Sequence, residues 1–188
     1  MDNNNDVSPA PPLNAIDLLK QDHRKVEQLF EQYESAPDKR TKRQVAQTIC
    51  TELEIHAKIE EQIFYPTSKA KAKEAKDPVN EGIVEHQGIK MLVKQISKMQ
   101  ASDEYFDSSV TVLKEYVKHH VKEEETEMFP KIESSRIDLD ALGERLSDAK
   151  ARLEKRGTGK PKAGSANRKK RAASSTSGRS RSGKGRAR

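Results

Sequence analysis

Two eleven-residue segments of this chain repeat a pattern that could hold a metal ion. His56 and Glu60 lie in HAKIEEQIFYP, and His120 and Glu124 lie in HVKEEETEMFP. Positions i and i+4 share one face of an α-helix, so each segment aims an imidazole and a carboxylate the same way. That is half of a metal site, and two copies can make a whole one. A second pair also repeats: Asp22-His23 opens DHRKVEQLF and Glu85-His86 opens EHQGIKMLV. The resulting order is His23, His56/Glu60, His86, His120/Glu124, with 33 residues between the first two histidines and 34 between the last two. This spacing describes a helical hairpin used twice.

Four imidazoles and two carboxylates suit non-haem iron, with manganese or zinc as alternatives. Six protein ligands are too many for one tetrahedral zinc and suit two metals bridged by glutamate. The plainer reading is a helical bundle with hydrogen-bonded core histidines and solvated glutamates. It serves for any one histidine, but the repeat and the shared phasing would then both be accidents. A buried, unpaired carboxylate costs several kcal/mol, roughly, and a cation offsets that cost directly.

Other residues carry weaker signals. His119 stands one position off the stripe, about 100° round the helix, which favours a surface or outer role over ligation. Glu61 and Glu125 follow the candidate ligands; they read as exposed rim, with hydrogen bonds to the imidazoles as the alternative. Glu27, four after His23, is a lesser candidate for an extra ligand. Phe64, Tyr65 and Phe129 read as closing one end of the bundle, and Cys50 as inert packing.

The elements needed to position these side chains are helical. Apolar stripes predict helices over about 14–34 (Ile16, Leu19, Val26, Phe30, Tyr33) and 39–65 (Val45, Ile49, Leu53, Ile63), with Pro66 ending the second. The segment 67–76 reads as a solvated connection with room for a loose turn of helix. Asp77-Pro78 reads as a cap and first turn of a third helix to about Met99. Ser102 caps a fourth, which runs to about Phe129 and stops at Pro130. Leu139, Leu142, Leu146, Ala149 and Leu153 mark a fifth helix over about 138–155. No strand-like alternation occurs. The expected fold is all-α, an antiparallel up-down-up-down four-helix bundle with an additional C-terminal helix.

Length and composition narrow the class. The 188 residues suit one domain, here 13–155, with polar flanks at 1–12 and 156–188 that are expected to be disordered. Aromatics make up 4% and tryptophan is missing, so the core must be aliphatic. No apolar run reaches membrane-spanning length. The opening residues lack signal-peptide character, and the single cysteine cannot form an internal disulfide; a cytoplasmic location is the expectation.

As a set, H…HxxxE…H…HxxxE, with the paired glutamates and the aromatic-proline endings, resembles the hemerythrin-like HHE cation-binding domain over roughly residues 13–155. The resemblance implies an antiparallel four-helix bundle around two iron ions joined by an oxo or hydroxo bridge. It also implies His23, His56, Glu60, His86, His120 and Glu124 as ligands, with Glu60 and Glu124 bridging. The oxygen-carrying members have a second histidine four after the one in helix three and an aspartate five after the one in helix four. Lys90 and Glu125 stand there instead. That departure points away from simple oxygen carriage. It points toward binding or sensing of oxygen, peroxide, nitric oxide or iron, and leaves room for an enzyme. A di-iron peroxidase- or catalase-like scavenger is the alternative.

Net charge is strongly asymmetric. Residues 151–188 carry 14 Lys/Arg against one acid, and 1–150 carry 22 against 29. The segment 157–188, with eleven Lys/Arg, no acid and no aromatic, is expected to associate non-specifically with DNA or RNA phosphates. Anionic membrane or the acidic surface of its own domain are alternative targets, and a merely solubilising tail is the plainest one.

Overall fold

In the computed structural model, which describes residues 13–157, the chain is all-helical. The main helices are α1 (Ala15–Glu34), α2 (Lys39–Ile59), α4 (Lys76–Ile96) and α5 (Phe106–Glu123). They form the antiparallel up-down-up-down bundle, in which α1 packs on α2, α2 on α4 and α4 on α5. Asn14 caps α1 by accepting from the backbone N–H groups of Ile16 and Asp17, at 2.9 and 3.0 Å. Asp38 caps α2 through the N–H of Thr41 at 2.9 Å. These caps satisfy donors that the first turn leaves unpaired.

The proline residues do not end their helices. After α2 comes a π turn, Glu60–Phe64, and the chain continues helically as α3, Tyr65–Lys71. After α5 comes a second π turn, Glu124–Met128, and then α6, Phe129–Glu133. In each π turn the closing bond skips back five residues, from Tyr65 to Glu60 and from Phe129 to Glu124. Pro66 and Pro130 then fall in the first turn of a restarted helix, where a missing N–H costs little.

Three further expectations need correction. The 67–76 connection is helical to Lys71, then forms a 3-10 turn over Lys73–Ala75, and it buries Ser68, Ala72 and Ala75. Helix α4 starts at Lys76 after Ala75, so Asp77 lies in its first turn and does not cap it. Helix α5 starts at Phe106, four residues past Ser102, with no side-chain cap.

The fifth helix, α7 (Leu139–Gly157), lies across α1 and α2. It buries Leu142 and Leu146 there. Gly143 permits the approach: a Cβ at that position would stand 2.4 Å from the backbone oxygen of Leu13.

The core has two apolar lobes. One holds Ile16, Leu19, Phe64, Tyr65, Met128, Phe129, Leu142 and Leu146. The other holds Val26, Phe30, Ile49, Leu53, Ile89, Val93, Leu113 and Val117. A buried polar layer of histidine and glutamate stands with them. The expectations for 1–12 and for the basic segment beyond 157 lie outside the described residues.

Candidate metal centre

One helix supplies each histidine: His23 from α1, His56 from α2, His86 from α4 and His120 from α5. The two glutamates open the two π turns. All six side chains are buried, and their ligand atoms gather in two adjoining groups. His23, His56, Glu60 and Glu124 form one group of mutually close ligand atoms, and Glu60, His86 and His120 form another, so Glu60 belongs to both.

The inner distances are short and all involve Nε2. His23 Nε2 lies 3.2 Å from His56 Nε2 and 3.2 Å from Glu124 Oε2. Glu60 Oε2 lies 3.2 Å from His56 Nε2 and 3.3 Å from His86 Nε2. His86 Nε2 and His120 Nε2 are 3.0 Å apart, and Glu124 Oε2 stands 3.5 Å from His120 Nε2.

The outward Nδ1 atoms face four carboxylates in a crossed arrangement. His23 Nδ1 donates to Glu125 at 2.8 Å, His86 Nδ1 to Glu61 at 3.1 Å and His120 Nδ1 to Glu85 at 2.8 Å. His56 Nδ1 has Asp22 at 3.5 Å, an ion-pair distance too long for a good hydrogen bond. A carboxylate can only accept, so a proton on Nδ1 leaves the Nε2 lone pair pointing inward.

This donor set fits a cation. Both oxygens of Glu60 and Oε2 of Glu124 are buried without a hydrogen-bond donor. Such atoms are costly unless something positive offsets them. Ligands about 2.1 Å from a metal stand about 3.0–3.4 Å apart along the edges of a coordination polyhedron, which matches the inner spacings. Mixed imidazole and carboxylate donors suit iron, manganese or zinc.

The electrostatics agree. Burial opposes charge on His56, but Glu60, Asp22 and Glu124 outweigh it and push the imidazole up to about 10. Burial would raise Glu60, yet His56 and His86 hold it well below the usual carboxylate range. Both shifts have one cause: the buried carboxylates favour a positive charge beside them, which is a proton on the imidazole when no metal is bound.

One aromatic residue has a larger part in the site than its sequence position suggests. Tyr65 does more than close the bundle: its hydroxyl donates to Glu124 Oε1 at 2.9 Å and lies 3.4 Å from His86 Nε2. Burial, with Glu124 and Glu60 nearby, drives its pKa well upward, so the proton stays on the oxygen. Phe64 and Phe129 pack edge-to-face, and Phe129 stacks on the His23 ring. Glu27 points to solvent and pairs with Arg24 at 3.1 Å. His119 is mostly exposed and pairs with Glu85 and Glu123. Cys50 is buried.

Asp22 and Glu85 had no assigned role in the sequence, although each precedes a core histidine. Each serves the histidine of the adjoining helix, and only packing could reveal that. An outer cation backs three of the four carboxylates: Arg24 on Glu125 at 2.5 Å, Lys90 on Glu61 at 2.5 Å, and Lys150 of α7 on Asp22.

Beside the cluster is a cavity of about 20 Å³, walled by Val26, Leu53, Ala57, Ile89, Val117 and Val121 and floored by the four histidines. A wider groove along α1 and α5 shares His23, Val117 and Val121 with it.

Among the described residues no helix is long and apolar enough to cross a membrane. Comparison with known proteins places these features in context. The model of the family described as "Hemerythrin HHE cation binding domain" matches residues 14–132. The chain is 28% identical over 123 residues to a DNA nickase of Nostoc sp., covering 65% of this chain and 34% of that protein. It is 28% identical over 127 residues to an uncharacterized hemerythrin-like protein of Schizosaccharomyces pombe, covering 67% of this chain and 63% of that one. The matched region therefore spans only part of both relatives. The fold resembles the crystal structure of a hemerythrin HHE cation binding domain-containing protein from Mycobacterium kansasii, with TM-score 0.66 and 21% identity, covering 77% of this chain and 89% of that one.

Proposed function

Since this chain belongs to the hemerythrin HHE cation-binding family, we propose that its buried cluster holds two iron ions and binds a small ligand, O2, peroxide or nitric oxide. The observation that carries this reading is the sharing of Glu60 between two groups of buried donors. One ion would take His23, His56, Glu60 and Glu124, and the other Glu60, His86 and His120, with Glu124 within reach of both. When bound, iron would supply redox chemistry and an open position for a ligand.

The protein's own residues then have separable tasks. Asp22, Glu61, Glu85 and Glu125 orient the imidazoles and set their tautomers. The Tyr65 hydroxyl keeps a proton beside Glu124 and His86 Nε2. Val26, Leu53, Ile89, Val117 and Val121 exclude water and limit the cavity to about the volume of a single water-sized guest. That size supports a diatomic molecule or peroxide and argues against a larger substrate. The α1–α5 groove supports an entry route past Val117 and Val121.

The test is elemental analysis of untagged protein with an absorption spectrum of the same sample. About two irons per chain, lost in His56→Ala and His120→Ala with helicity retained, support the reading. Little metal in the wild-type protein rejects it. Rapid turnover of added H2O2 by the iron-loaded protein would favour the scavenger over the sensor.

A second reading concerns the basic segment 157–188, whose eleven Lys/Arg suit nucleic-acid phosphates. Likeness to a DNA nickase supports association with DNA, although the chain covers only 34% of that protein. Truncation after Arg156 should abolish retention on DNA at low salt; unchanged retention would remove this reading.

A further inference from the structure

The outer carboxylates are not backed alike. Arg24, Lys90 and Lys150 place a fixed positive charge on Glu125, Glu61 and Asp22. The fourth, Glu85, meets on its outer side the imidazole of His119, and a further carboxylate, Glu123, joins it.

We propose that Glu85, His119 and Glu123 form a third, solvent-facing site for a divalent transition cation, joined to the interior through Glu85. His119 Nε2 lies 3.2 Å from Glu85 Oε1 and 3.1 Å from Glu123 Oε1. Their ligand atoms all lie within 4.8 Å of one another. These spacings again match the edges of a coordination polyhedron about a small cation. One imidazole with two carboxylates is a mixed donor set that favours zinc, iron or manganese over calcium. At the three equivalent positions a side-chain cation already stands on the outer side of the carboxylate.

The internal repeat sharpens the contrast. Asp22 in α1 corresponds to Glu85 in α4, since each precedes a repeated histidine. On the α1–α2 side, α7 covers the surface and supplies the Lys150 ammonium. Counted from His56 and His120, the positions that carry Ile55 and Ile59 on that side carry His119 and Glu123 on the other. The α4–α5 side has no covering helix among the described residues, and a cleft lined by Asn80, Glu81, Val84, Glu85, His119 and Glu123 opens over the three ligands. A cation from solution takes the place that Lys150 fills on the other side. Water completes its coordination.

Glu85 uses both oxygens: Oε1 faces His119, and Oε2 accepts from His120 Nδ1 at 2.8 Å. An ion outside is therefore one carboxylate and one imidazole away from the interior cluster.

The test is equilibrium dialysis of the full chain against zinc, with bound metal counted by elemental analysis, on wild type, His119→Ala and Glu123→Gln. Circular dichroism confirms that the helices persist. The expected result is one exchangeable zinc per chain in the wild type that either substitution weakens by more than about tenfold, the scale on which even outer partners act. Tightly held metal is unchanged. Equal exchangeable binding in all three proteins, or none in the wild type, overturns the proposal. The outcome is independent of the interior assignment: His56→Ala and His120→Ala remove tightly held metal, whereas His119→Ala removes only the exchangeable ion.

Discussion

The Tyr65 hydroxyl reaches Glu124 Oε1 at 2.9 Å from a residue 59 positions earlier in the chain. Each partner stands at a π turn: Glu124 opens one, and Tyr65 directly follows the other. The extra residue in the Glu60–Phe64 turn shifts the helical phase by about 100°. Tyr65, five after Glu60, thereby faces the interior with it.

Tyr65→Phe removes that donor and leaves Glu124 Oε1 buried and unpaired. The expected cost to the metal-free protein is about 1–3 kcal/mol, read from denaturant unfolding. Metal content should survive, because the phenol is not among the six converging donors. An unchanged unfolding midpoint would show that the bond contributes nothing.

Glu60→Gln retains shape and removes the charge shared by both donor groups. Metal content should fall to one ion per chain or fewer. Metal at a hundred times its dissociation constant stabilises a fold by about 2.7 kcal/mol, and this gain should shrink in the variant. Comparing melting temperatures of loaded and stripped proteins checks it. Full metal occupancy in Glu60→Gln would remove Glu60 from the site.

The metal-free protein should lose stability as pH rises. His56 is held at about 10 in the folded state, above its ordinary 6.5. Its contribution is therefore complete below pH 6.5 and vanishes as pH climbs through about 10. Glu60 is shifted the other way, below 4.5. Its contribution is present above that value and vanishes as pH falls through the depressed one. Melting temperature should peak between pH 4.5 and 6.5 and decline toward 10. Metal affinity should rise over that same upper range, since ligation needs neutral imidazoles. A metal-free melting temperature that climbs from 6.5 to 10 contradicts the assignment.

Gly143→Ala forces α7 away from the start of α1, because the new Cβ would meet the backbone of Leu13, Asn14 and Ala15. Overpacking of this kind costs about 1–3 kcal/mol. It should also loosen the pairing of Lys150 with Asp22, which hydrogen exchange at the α1–α7 contact can follow. Wild-type stability in this variant would mean that α7 is not tightly docked.

Much of this was legible in the chain itself. Helical periodicity places His23, His56, Glu60, His86, His120 and Glu124 on inward stripes, and the same periodicity marks α7 through Leu142 and Leu146. These are local properties, because residues i and i+4 share a face whatever surrounds them. Neighbours in sequence point about 100° apart on a helix. Asp22 therefore cannot serve His23 and turns to His56, and Glu61 turns from Glu60 to His86. Which helix lies opposite is a matter of packing, and so is the arrival of Lys150 from a helix more than a hundred residues away. Pro66 and Pro130 read as stops because proline lacks a donor; the π turns before them let the helix restart. The inner donors thus follow from spacing along the chain, and their orientation, proton placement and outer charges from the assembled bundle.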